Sequence, residues 1–145
     1  MIVYLDASAL VKRYVAELGS DEVGALIERA SVVGTAILSR AEVAAALAKA
    51  SRMQVVPRGE AEAALRAFGE EWASLVRVQL TEVLAARAGA LAWDHGLRGY
   101  DAVHLAAALF WQDMMGEDVT VATYDHELWN AARSTGLGSW PERLP

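Results

Sequence analysis

The apolar positions of this chain fall into short continuous runs separated by helical periodicities, a pattern that predicts buried strands alternating with covering helices. The first run, Ile2–Leu5, ends in Asp6 and leads through Ser8–Val11 into a helical turn. Val23, Leu26 and Ile27 then share one helix face, in a helix expected to take Ser20 as its N-cap and to reach about Ala30. A second strand is expected within Ser31–Leu38, followed by an Ala-rich helix from Ser39 to about Arg52. Val55-Val56-Pro57-Arg58-Gly59 interrupts that periodicity, and another helix runs from Gly59 to about Ser74.

The second half keeps the rhythm. Leu75–Leu80 reads as a strand, Thr81-Glu82 opens a helix that Gly96 closes, and Tyr100 to about Met115 is the next helix. Val119–Thr123 is a further strand, Asp125 to about Ser134 the last helix, and Gly138–Trp140 a short terminal strand. Strands apolar on both faces and alternating with helices define an α/β fold, a three-layer α/β/α sandwich with a mainly parallel sheet of four to five strands. With no repeat, low-complexity stretch or linker, residues 1–145 are expected to form one domain.

Composition narrows the chemistry. No cysteine is present, which excludes disulfides, thiolate metal sites and thiol nucleophiles and suits a reducing compartment. Mean hydropathy is +0.21, yet no apolar run reaches the roughly 18 residues of a membrane span. The first six residues carry no basic region and meet Asp6 at once, unlike a signal peptide, so a soluble cytoplasmic protein is expected. The formal net charge of −6 argues against a general basic field for nucleic acid. Setting four clustered acids aside leaves 15 acids against 13 bases, eleven of them arginine, whose planar fork suits phosphate contacts.

In an open parallel sheet ligands bind beyond the carboxyl ends of the strands, and four acids are placed there. Asp6 ends the first strand, Glu42 lies in the first turn after the second, Asp101 opens a nearly uncharged helix, and Asp125 follows the strand ending at Thr123. Each has a local explanation: Asp6, Asp101 and Asp125 stand where N-caps stand, and Ser39-x-x-Glu42 matches a capping box. Jointly they would repel one another unless a cation neutralised them. Hard oxygen ligands without histidine or cysteine partners point to Mg²⁺ or Mn²⁺. Ser8 and Thr123 are short hydroxyls beside two of the acids, able to bond a carboxylate, a ligated water or a phosphate.

Read together, Asp6-Ala7-Ser8-Ala9-Leu10-Val11-Lys12, Arg40-Ala41-Glu42, Arg98 through Ala108 and Ala122-Thr123-Tyr124-Asp125 resemble the PIN-domain ribonucleases of the VapC toxin type, over nearly the whole chain. The resemblance implies a sheet in the order 3-2-1-4-5 and a magnesium- or manganese-dependent endoribonuclease. It also implies an RNA substrate, a VapB-type antitoxin partner and a homodimer. Its acids carry over onto Asp6, Glu42, Asp101 and Asp125 as metal ligands, and its strand-one hydroxyl onto Ser8, which completes the catalytic set. Alanine at position 7, where threonine is common in such proteins, touches packing rather than ligation.

Other residues have competing readings. His104, one turn after Asp101, either packs its helix or orients that carboxylate; the five tryptophans favour core or interface over base stacking. Lys12, Arg13, Arg40, Lys49, Arg52 and Arg98 flank the acids in sequence and are candidate phosphate contacts. The alternatives to a nuclease are a non-catalytic PIN-like binding module and a metal-dependent phosphohydrolase. An aspartyl-nucleophile phosphohydrolase would want a second acid at position 8, which is serine.

Overall fold

The computed structural model describes residues 1–145. Its frame is a five-stranded, all-parallel sheet in the order β3-β2-β1-β4-β5, comprising β1 (Ile2–Leu5), β2 (Val32–Ala36), β3 (Val76–Val78), β4 (Val119–Ala122) and β5 (Gly138–Trp140). β1 is the innermost strand, with Ile2 opposite Val32 on one side and Val119 on the other. Because side chains alternate across a strand, Ile2 and Tyr4 enter one core, and Val3 and Leu5 the other. That double burial is why the run shows no polar alternation.

The Val3/Leu5 face is covered by α1 (Ala7–Leu10), α2 (Ser20–Arg29), α3 (Ser39–Arg52) and α4 (Arg58–Glu71). The Ile2/Tyr4 face is covered by α5 (Glu82–His95), α6 (Gly99–Met115) and α7 (His126–Ser134). Nine of the 17 residues of α6 are buried, which accounts for its nearly uncharged sequence and makes Asp101 and His104 the polar exceptions needing partners. α6 reaches the sheet through a close approach at Gly34, where a Cβ would lie 2.7 Å from the Trp111 ring. No helix is long and apolar enough to cross a membrane.

Two local expectations give way. Gly19, at φ +93°, precedes the first turn of α2 in place of a Ser20 cap, and the Ser20 hydroxyl instead donates to the Val15 carbonyl and accepts from the Glu17 amide. The Ser39–Glu42 capping box does not form. Ser39 is buried and bonds the Thr35 hydroxyl at 2.6 Å, while Glu42 turns to a residue of α6.

Candidate active site

The carboxyl edge of the sheet gathers the acids because every parallel strand delivers the chain to that edge. Asp6 follows β1 directly, and its amide extends the ladder to the Ala122 carbonyl of β4 at 3.2 Å. Its carboxylate is buried, and both oxygens accept hydrogen bonds. Oδ1 accepts from the Ser8 hydroxyl at 2.7 Å and the Ala9 amide at 3.0 Å, and Oδ2 accepts from the Thr123 hydroxyl at 2.6 Å. Asp6 therefore caps α1 and faces the site at once. Burial raises its pKa above the ordinary carboxylate value; His104, the two hydroxyls and the Ala9 amide pull it back.

The hydroxyls are themselves oriented from behind. Tyr124 donates its amide to Ser8 Oγ at 2.9 Å, and Asp125 donates its amide to Thr123 Oγ1 at 3.0 Å. With acceptance from the backbone and donation to Asp6 both assigned, Ser8 serves the carboxylate among the partners open to it.

Asp125 caps α7 by accepting from the Leu128 amide at 2.9 Å through Oδ1. Asp101 sits in the first turn of α6 and caps nothing, the N-cap position being Arg98. The Arg98 guanidinium instead spans the two acids, its Nη2 lying 3.0 Å from Asp101 Oδ2 and 2.7 Å from Asp125 Oδ2. Burial and the neighbouring Asp125 raise the Asp101 pKa, Arg98 lowers it, and Asp6 adds a further upward push. Asp6, Asp101 and Asp125 thus share one electrostatic neighbourhood.

Glu42 enters from α3. Its Oε1 meets His104 Nε2 at 2.5 Å, and His104 Nδ1 meets the Tyr4 hydroxyl at 2.7 Å. Tyr4 is completely buried and its pKa is driven well up by desolvation, so the hydroxyl keeps its proton. The Tyr4 hydroxyl, the His104 ring and the Glu42 carboxylate thus form one hydrogen-bonded chain, in which Nε2–H donates to Glu42. His104 accordingly orients Glu42, not the Asp101 that stands one turn away.

Glu127 was not among the acids singled out by position. One oxygen each from Asp101, Asp125 and Glu127 lie within 4.8 Å of one another. Its signal was the spacing Asp125-His126-Glu127, which puts a second acid in the first turn of α7. The converging donor set here is carboxylate oxygen throughout, and the His104 imidazole is committed to Tyr4 and Glu42. That chemistry fits a hard divalent cation.

Among the flanking cations, Lys12 is engaged by Glu17 and the Leu18 carbonyl and lies over the Tyr124 ring, and Arg13 pairs with Glu71. Arg40 lies over Trp72 at 5.6 Å and makes no ion pair. Arg98 alone reaches the acids.

Acids gathered at the carboxyl edge of a 3-2-1-4-5 parallel sheet, three of them close enough to share one metal ion, define a class of α/β protein. Comparison with known proteins makes the class specific. The PIN domain family matches residues 3–133. Two Mycobacterium tuberculosis proteins, ribonuclease VapC45 and ribonuclease VapC49, are each 38% identical over 143 residues, covering 99% of this chain and 97% of the relative. Among solved structures, Mycobacterium tuberculosis VapC20, a sarcin-ricin loop cleaving toxin, superposes with a TM-score of 0.66 at 16% identity over 99% of both chains. VapBC2 from Rickettsia felis, bound to a DNA fragment from its promoter, does so with a TM-score of 0.64 at 13% identity over 97% of this chain and 100% of that one. The chain belongs to the PIN-domain family.

Proposed function

We propose that this protein is a metal-dependent endoribonuclease acting in the cytoplasm as the toxin of a toxin–antitoxin pair, with residues 1–145 working as one domain. The observation that carries the reading is the convergence of carboxylates on one sheet edge, in a chain 38% identical to VapC ribonucleases along almost its full length. Asp6, Glu42, Asp101 and Asp125 would hold Mg²⁺ or Mn²⁺, with Glu127 beside them. Such an ion, when bound, polarises a phosphoryl oxygen and lowers the pKa of a ligated water.

The protein's own contribution is positioning. Ser8 and Thr123 hold Asp6 from both carboxylate oxygens, and the Tyr4–His104 pair fixes Glu42 from the core side. Side chains locked this way need no reorganisation when substrate arrives. The likeness to solved toxin–antitoxin complexes supports a VapB-type antitoxin as partner, and the exposed apolar side chains described below support a homodimer.

The reading is tested by incubating the purified protein with single-stranded RNA and Mn²⁺. Cleavage should stop with EDTA and fall by ~10²-fold or more in Asp101→Asn with the circular dichroism spectrum unchanged. Cleavage that persists in EDTA and in Asp101→Asn would refute it.

A further inference from the structure

Arg98 holds an unusual position for a cation so close to a metal-type site. It follows the buried Leu97, one residue beyond the Gly96 that closes α5, and precedes Gly99, the first residue of α6. Its guanidinium bonds Asp101 and Asp125, two of the three acids whose oxygens converge, although its side chain is 55% exposed. On the solvent side the same guanidinium lies 4.8 Å from the centre of the Tyr100 ring, which is itself exposed. A tethered cation thus neutralises the acids from a place where solvent, an aromatic face and the acidic pocket meet. A divalent ion drawing on those carboxylates competes with it directly, since like charges at such separations repel.

We propose that Arg98 is an exchange residue: it occupies Asp101 and Asp125 in the metal-free protein and transfers to an RNA phosphate when those carboxylates take up a divalent cation, with Tyr100 offering its ring to the adjoining base. This rests on the nuclease reading above. The half-exposed side chain allows the guanidinium to swing without disturbing the core. Its planar fork serves a phosphate as well as a carboxylate. An exposed ring beside a phosphate-binding arginine is the arrangement by which single-stranded nucleic acid is held without sequence readout. Exchange also links the two ligands: metal and RNA raise each other's affinity by the same factor, because each favours the released arginine.

The test uses the whole chain and two measurements that do not depend on turnover. Mn²⁺ affinity is read by isothermal titration, and binding of a fluorescein-labelled single-stranded RNA by anisotropy across a salt series with Ca²⁺ as the divalent ion. Arg98→Gln should bind Mn²⁺ roughly tenfold more tightly without RNA, having lost the competing charge. It should bind RNA more weakly, with the slope of log affinity against log salt shallower by about 0.7, the value of one phosphate contact on a single strand. Arg98→Lys should restore the slope, and Tyr100→Ala should weaken RNA binding with the slope unchanged. If Arg98→Gln leaves Mn²⁺ affinity within twofold of wild type, or leaves the salt slope intact, the exchange is refuted while wild-type RNA cleavage still upholds the nuclease reading. If the wild-type chain binds Mn²⁺ but neither binds nor cleaves RNA, the nuclease reading fails first and the phosphate destination falls with it.

Discussion

Replacing Thr123 by valine changes one hydroxyl to a methyl group of nearly the same shape, and the structure sets what that removes. Asp6 Oδ2 loses its only donor, at 2.6 Å, and the Asp125 amide loses its acceptor, at 3.0 Å. A hydrogen bond to a buried charge contributes about 1.5–3 kcal/mol, and an orphaned amide costs about 1 kcal/mol or more, so a loss of about 3 kcal/mol is expected at pH 7.5 in EDTA. For 145 residues the unfolding entropy is about 0.3 kcal/mol/K, and the midpoint should fall by about 10 °C.

The pH dependence separates this mechanism from simple repacking. Asp6 has a raised folded-state pKa, so in the metal-free protein its contribution to stability is complete below the unfolded value near 4 and is lost as pH rises through the folded value. Thr123→Val removes one of the groups that pulled that pKa down, and it extends the loss. At about pH 3 the carboxyl is largely protonated in both states, and the difference between variant and wild type should shrink to about 1 kcal/mol. Urea unfolding followed by circular dichroism at both pH values measures it. A deficit below about 0.5 kcal/mol at pH 7.5, or one that is equal at both pH values, would refute the claim that this hydroxyl carries the Asp6 charge.

Two other outcomes are expected. Gly34→Ala would drive a Cβ to 2.7 Å from the Trp111 ring in a packed core, and should destabilise by about 1–3 kcal/mol, read as a midpoint about 3–10 °C lower by calorimetry. Val83, Phe110 and Met114 are exposed around an apolar groove beside the edge strand β3, and Trp93 is 89% exposed on α5. Sedimentation should show a dimer in the micromolar range; a monomer throughout that range would sink the dimer proposal.

Much of the frame was legible because both faces of the sheet are buried. Ile2–Leu5 has no polar alternation and Val119–Ala122 has Thr120 as its one polar residue, and the helix limits at Thr81, Gly96 and Asp125 are set by local chemistry that a sequence displays. Strand ends were less legible. The apolar run Leu75–Leu80 yields only Val76–Val78 as strand, since the ladder stops where Gly34–Ala36 of β2 runs out of partners. In the site, the edge position marked Asp6, Asp101 and Asp125 as acids to watch. The local signal at Glu42 misled, because a buried imidazole 62 residues away outcompetes the Ser39 amide. The Arg98–Asp101 leg spans three residues and lay within reach of inspection; the Asp125 leg depends on α6 and α7 meeting at the same sheet edge.

The contacts that complete the site join the two ends of the chain. Thr123 donates to Asp6 across 117 residues, and Tyr4 meets His104 across 100. During synthesis, a nascent chain with its first 95 residues exposed presents Asp6 and Glu42 but lacks His104, Asp101, Asp125 and the β4 strand against which β1 must lie. Such a fragment has no assembled pocket to cut with. A site arranged this way is assembled only after Asp125 has left the ribosome, so no shorter nascent fragment brings these carboxylates together.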